Sequence, residues 1–258
     1  MAPKLAVQSL DKRFGDLEAL RQINFAAAAG TFVSVVGPSG CGKTTFLRIV
    51  AGLERATSGE VRIDGRLVTR PGSDRGFVFQ QDSLLPWRTV LANTMIGPEL
   101  AGQSGKRERE RALQLLKLVG LNGFEHYFPR QLSGGMRQRV NLARALAVDP
   151  EILLMDEPFS ALDAQSREIM QTELLRIWEQ GRKTVLFVTH QIDEAVFLSD
   201  QVLVFARRPG RLLERVAIAL PRPRMLTLKR MPEFVAYVDR IWKFIENDVR
   251  DSVLHENA

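Results

Sequence analysis

Apolar and polar positions along the chain divide it into short strands and helices of mixed order. Leu5–Phe14 and residues 23–25 pattern as early strands joined through Gly15-Asp16, and Phe32–Val36 is a continuous apolar run suited to burial on both faces. Gly59-Glu60-Val61-Arg62-Ile63-Asp64-Gly65 alternates and closes on Asp-Gly, a hairpin signal. Gly76-Phe77-Val78-Phe79 predicts a further strand that delivers Gln80-Gln81 into a loop holding Leu84-Leu85-Pro86-Trp87, where Trp87 serves either packing or docking. From 89 to 148 the spacing turns helical, with Leu113, Leu116 and Val119 on one face of a helix over 106–119. Ser133 N-caps a helix running to about 148. Residues 151–158 read as a buried strand ending in Asp156-Glu157-Pro158, followed by a helix over 164–180 with Gly181 as its C′ residue. The run 184–189 is the next buried strand and ends at His190, and 202–205 is the last core strand. In the tail, Phe234, Val238, Ile241, Ile245 and Val249 share one helical face.

The chemistry concentrates directly after Phe32–Val36. Gly37-Pro38-Ser39-Gly40-Cys41-Gly42-Lys43-Thr44-Thr45 fits G-x-x-x-x-G-K-[ST]. Glycines let successive N–H groups turn inward as a nest for phosphate oxygens. Lys43 can set a compact positive charge between the outer phosphates, and the Thr44 hydroxyl can ligate Mg²⁺. A helix expected over 44–51 points its positive dipole end at the same anion. The stretch is read as a nucleoside-triphosphate site. Cys41, in this electropositive nest, is expected to carry a thiol of lowered pKa, reactive unless Mg-ATP protects it. Ser133-Gly134-Gly135 opens a second helix fit to bind an anion. Asp156, at the carboxyl end of a strand, suits a Mg²⁺ shell, and Glu157 can accept a proton from an attacking water. His190 is placed to touch a terminal phosphate. Phe14 is either a core ring or a ring stacked on a nucleobase.

Composition narrows the class. The 258 residues are 45% apolar and 26% charged, ordinary for a globular chain with a sizeable core. No apolar run approaches the roughly 18 residues that span a bilayer, and the first residues lack the apolar core of a secretory signal. A single cysteine excludes an internal disulfide and fits a cytosolic chain. The net charge of +6 is uneven: between Arg207 and Arg230 stand eight cations against one anion, Glu214, a balance of +7 that leaves the remainder near neutral. That segment is either a solvated basic loop or a patch for anionic lipid or an acidic partner.

Taken in order, residues 4–210 resemble the ATP-binding subunit of an ABC transporter. The phosphate loop matches Walker A, and residues 152–157 match Walker B. Gln80 looks like the Q-loop glutamine, residues 132–136 like the signature motif (with Met136 where many members carry glutamine), Ala161-Leu162-Asp163 like the D-loop, and His190 like the switch histidine. Phe14 takes the place of the aromatic that stacks on adenine. The resemblance implies an α/β fold: a P-loop NTPase core with a mixed, mainly parallel sheet, an antiparallel β subdomain and an inserted α-helical subdomain at about 89–148. The ATPase domain would span 4–230, and an amphipathic helical tail 231–258. It implies ATP and Mg²⁺ as cofactors, with Gln80 joining Thr44 and Asp156 around the metal. Lys43, Gln80, Glu157 and His190 would be catalytic, and Asp163 would join Ser133, Gly134 and Gly135 at the nucleotide.

In the family two copies pair head to tail, each nucleotide lying between one Walker A and the partner's signature. Partners would then be a second copy, membrane-spanning permease subunits and, indirectly, a solute-binding protein, at the cytoplasmic face of the bacterial plasma membrane. Leu84-Leu85-Pro86-Trp87 and Ala206-Arg207-Arg208-Pro209-Gly210-Arg211 look like the nitrate, sulfonate and taurine import branch. The competing class is a soluble ABC ATPase of DNA repair or translation, which the basic pI near 9.8 permits. Those chains usually carry a long coiled-coil insertion or two ATPase halves, and no basic helix with interleaved aromatics is present, so no nucleic-acid partner is expected.

Overall fold

A computed structural model describes residues 2–81 and 83–256, with side chains as far as 248. In chain order the elements are β1 (Leu5–Phe14), β2 (Leu17–Ala27), β3 (Phe32–Val36), α1 (Lys43–Ala51), β4 (Ser58–Ile63), β5 (Arg66–Leu67), β6 (Arg75–Val78), α2 (Val90–Leu100), α3 (Lys106–Leu118), α4 (Gly134–Ala147), β7 (Ile152–Asp156), α5 (Ala164–Gly181), β8 (Thr184–Val188), α6 (Ile192–Leu198), β9 (Gln201–Phe205), β10 (Leu212–Ala217) and α7 (Pro232–Glu256). The chain forms two compact units: Met1–Gly72 with Arg182–Ala258, and Ser73–Gly181.

The first unit holds two sheets. One is antiparallel, in the order β2-β1-β4-β5, and its β4–β5 turn takes left-handed φ at Asp64 (49°) and Gly65 (75°), as a two-residue hairpin of this hand requires. In the other, β3 runs parallel to β8 and β9, and β10 closes on β9 antiparallel. All five residues of β3 are buried, as are all five of β8, which is why both read as unbroken apolar runs. Phe46 of α1 packs its ring 6.0 Å from Phe25 of β2 and 5.4 Å from Phe205 of β9, so one helix joins the cores of both sheets.

In the second unit β6 and β7 pair in parallel, and α4 packs against α2 and α3. Thr89 caps α2 through its hydroxyl, and Ser133 caps α4.

Several expectations need correcting. Strand β2 is far longer than residues 23–25: Gln22 takes φ 49° and the β1–β2 register shifts nearby, which breaks the alternation that would have revealed it. Helix α5 runs through Gly181, and Arg182 takes the left-handed turn, at φ 43°. The basic segment contains a strand, β10, and most of its cations are structural. The buried Arg224 donates to the carbonyls of Val196, Phe197 and Ser199, which end α6. Arg222 pairs with Asp200 at 2.7 Å, Arg211 with Asp248 at 3.3 Å and Lys229 with Asp193 at 3.8 Å. Arg215 donates to Ala26 O. These bonds tie β10, α6 and α7 to the first unit's body. On the tail helix Phe234 and Ile241 are buried and Val238 and Ile245 half-buried; the side chain of Val249 lies outside the described residues.

Candidate nucleotide-binding site

In the first unit the phosphate loop leaves the carboxyl end of β3 and His190 leaves that of β8, and the two strand ends are neighbours through the pairing of Val35 with Val188. Gly42 explains the loop's glycine: its φ is 96°, and a Cβ there would stand 2.7 Å from Leu20 and 2.8 Å from the Ala19 carbonyl. The loop holds Lys43 from within, its Nζ donating to Gly37 O at 2.7 Å and Pro38 O at 2.9 Å. The N-cap of α1 is Gly42, which has no side chain to cap the helix. His190 is exposed, one residue beyond the buried Thr189.

The structure bears on two further expectations, for Phe14 and Cys41. Phe14 is 46% exposed on β1, with Lys12 Nζ 4.4 Å from its ring centre, so the ring does not pack in the core. Cys41 is 1% exposed, and burial pushes its thiol up, against a smaller downward pull from Lys43. The expectation of a lowered thiol pKa is therefore wrong: the nest is electropositive, but Sγ points into the protein, where desolvation outweighs the charge.

In the second unit the pairing of Val78 with Met155 brings Phe79-Gln80 and Asp156-Glu157 out at the same ends of adjacent parallel strands. Asp156 is 5% exposed and Glu157 half-buried. Glu157 takes φ 43°, a left-handed conformation that costs about 1–3 kcal/mol in a residue with a Cβ and is doubly unusual before a proline. The strain is held by Ser160, whose N–H and hydroxyl both donate to Glu157 O, at 3.2 and 3.0 Å. Ser133 and Gly134 are exposed at the start of α4, and a Cβ on Gly135 would stand 3.7 Å from Leu162. Asp163 caps α5, accepting from Ser166 N at 2.9 Å.

Comparison with known proteins decides what this arrangement belongs to. A family model described as ABC transporter matches residues 20–160. The chain belongs to the ABC transporter family. It is 52% identical over 257 residues, 98% of this chain and 95% of the relative, to an uncharacterised ABC transporter ATP-binding protein of Methanocaldococcus jannaschii. It is 47% identical over 238 residues, 90% of this chain and 93% of the other, to the taurine import ATP-binding protein TauB of Yersinia pestis. Among solved structures, the ATP-binding cassette MJ0796 in a dimeric post-hydrolysis state bound to ADP and Pi matches 84% of this chain and all of that one, at 35% identity and TM-score 0.73. The fold is that of an ABC ATPase cassette, and the chain is a transport ATPase that binds ATP or ADP. No helix among the described residues is long and apolar enough to cross a membrane.

Three polar residues behind the site escaped the sequence reading. Asn93, fully buried on α2, exchanges hydrogen bonds with Leu85 and donates to the carbonyls of Arg88 and Thr89, which fixes the loop that carries the 71%-exposed Trp87. Asn141 and Arg144 of α4 donate to Phe79 O (3.1 Å) and Ser83 O (2.8 Å), tying the helix that begins at Ser133 to the segment carrying Gln80. The available signal was an asparagine set among apolar neighbours, in Leu91-Ala92-Asn93 and Val140-Asn141-Leu142.

Proposed function

We propose that the chain is the ATP-hydrolysing subunit that energises import of a small solute, such as nitrate, a sulfonate or taurine, through separate membrane subunits. It would work at the cytoplasmic face of the bacterial plasma membrane as one of two head-to-tail copies. The observation that carries this reading is that one chain presents two helix starts suited to an anion, a glycine loop around Lys43 and a start with Ser133 and Gly134 exposed and Gly135 half-buried. A single triphosphate held by the first leaves the second to serve a neighbouring copy. Near-full-length similarity to a taurine import protein supports the import branch. The inward use of Arg222 and Arg224 and the pairing of Arg211 weaken the basic segment's charge as an argument for nucleic acid.

In this reading residues 37–45 and Phe14 bind the nucleotide, Lys43 offsets charge on the outer phosphates, Glu157 orients and deprotonates the attacking water, and His190 contacts the terminal phosphate. Thr44, Gln80 and Asp156 would hold Mg²⁺. Their donors are a hydroxyl, an amide oxygen and a carboxylate, the hard oxygen set that suits this ion, and no cluster of three His, Cys, Asp or Glu competes among the described residues. When bound, the ion would supply further neutralisation of phosphate charge. Ser133, Gly134, Gly135 and Asp163 would complete the site of the opposite copy.

Glu157→Gln tests this. It should abolish turnover, leave ATP binding intact and trap an ATP-bound dimer on size-exclusion chromatography. Unchanged turnover would sink Glu157 as the base. Co-expressed permease subunits should co-purify with the wild type.

A further inference from the structure

The link between β9 and β10 lies directly on the phosphate loop. A Cβ on Gly37 would stand 2.7 Å from Phe205 O, and one on Gly210 only 2.1 Å from Cys41 O, so the two backbones touch where only glycine fits. The link is fixed on its other side by β2: Arg21 N donates to Gly210 O at 2.8 Å and Gly210 N to Ala19 O at 3.0 Å. At its base Ala206 N donates to Arg211 O at 2.9 Å. Helix α7 adds a third anchor, since Asp248 accepts from Arg207 N at 2.5 Å and from the Arg211 guanidinium at 3.3 Å.

This clamped link carries Arg208, whose terminal nitrogen lies 3.6 Å from the point a Gly40 Cβ would occupy. Arg208 is exposed, and no acceptor among the described residues takes its guanidinium in a hydrogen bond or ion pair. It differs in this from Arg211, Arg215, Arg222 and Arg224 of the same segment, each engaged by a carboxylate or carbonyl. A planar, permanently charged fork held beside the phosphate-binding turn, with its donors unspent, matches the chemistry of a phosphate oxyanion.

We infer that Arg208 is a nucleotide-binding residue that donates to the phosphate chain of the bound nucleoside triphosphate, from outside the glycine loop. The inference rests on the reading of residues 37–45 as a triphosphate site. It adds a contact in cis, on a rigid link rather than in the loop or a partner copy. Its attraction to phosphate is screened by salt more than that of the buried Lys43, because the guanidinium is solvent-exposed.

The test is equilibrium binding of a fluorescent ATP analogue, and of the matching adenosine analogue, to the full chain and to Lys43→Ala, Arg208→Ala, Arg208→Lys and Arg207→Ala. Arg208→Ala should weaken ATP binding about tenfold, the loss of one charge-assisted contact. Arg208→Lys should recover part of the loss, Arg207→Ala should bind like the wild type, and adenosine binding should not respond to Arg208. If Lys43→Ala loses ATP binding while Arg208→Ala matches the wild type, or if Arg208→Ala weakens adenosine and ATP alike, the inference is overturned and the loop reading stands. If Lys43→Ala binds ATP like the wild type, the loop reading itself fails.

Discussion

The helix starts at Lys43 and at Gly134 share a backbone dipole and little else. The first is wrapped: its loop takes left-handed turns at Gly40 (76°) and Gly42 (96°), buries Lys43 and Cys41, and leaves α1 without a side-chain cap. The second is open, with Ser133 and Gly134 exposed and the Ser133 hydroxyl already accepting from Met136 N at 3.3 Å. An uncapped helix start enclosed by glycines and a lysine suits an anion. A start satisfied by its own serine folds without one and can meet an anion that arrives from outside. The contrast teaches that the wrapped start should decide affinity and the open one turnover.

Lys43→Ala gives the largest effect that could break this division. It should lower ATP affinity and hydrolysis by about a hundredfold or more, read by nucleotide binding and phosphate release. If affinity survived, the wrapped start would not be the affinity determinant.

Gly135→Ala sharpens the other side, because its two consequences have opposite sign. Alanine in a helical position stabilises by about 1 kcal/mol over glycine, and the new methyl would meet Leu162 at an ordinary 3.7 Å. Thermal stability should hold or rise and ATP affinity stay unchanged, while hydrolysis falls about tenfold because the face offered to the second copy is now crowded. Equal hydrolysis would mean that α4's start meets no nucleotide.

The two starts also differ in how legible they were. The left-handed turns at Gly40 and Gly42 and the buried Lys43 fall where the glycine pattern predicts a loop, since a nest of this kind is built from consecutive residues. Ser133 as a helix cap and Asp156 at a strand end were equally visible, one by its residue type before a helical pattern and the other by the unbroken apolar run before it. What stayed hidden depends on partners distant in sequence. The basic segment read as a loop or a lipid-facing patch because its acceptors are the carbonyls of Val196, Phe197 and Ser199 and the carboxylates of Asp200 and Asp248, none of them near enough in sequence to suggest pairing. Strand β10 was lost with it, its alternation masked by Glu214 and Arg215. The pKa of Cys41 was misjudged for a related reason: the charge of the nest is local, but the direction of Sγ is set by the packing behind it.

A smaller effect follows from that burial. At neutral pH Cys41 should react with a thiol reagent more slowly than a free cysteine in the same buffer, and the rate should rise on partial unfolding in denaturant. A rate matching free cysteine would mean that the wrapped start opens readily.

The smallest expected effect concerns Asp163, which stands at the helix start beside Leu162, the neighbour of Gly135. Hydrogen bonds from Ser166, through its hydroxyl and its N–H, hold the Asp163 carboxyl below its ordinary value of 3.8. A carboxyl lowered on folding adds stability above its unfolded value and loses it as pH falls through the folded one, so the contribution is present at neutral pH and fades only below about 3.8. Asp163→Asn keeps a good N-cap but removes the charge. The Tm difference between wild type and variant should therefore be small and constant from about pH 7 to about pH 5, and shrink at lower pH. Hydrolysis at neutral pH separates capping from a second duty. If Asp163 only caps α5, turnover follows the small change in Tm. If it also serves the nucleotide of the opposite copy, turnover falls well beyond that change while ATP affinity holds, and the open start then comprises Asp163 as well as Ser133-Gly134-Gly135.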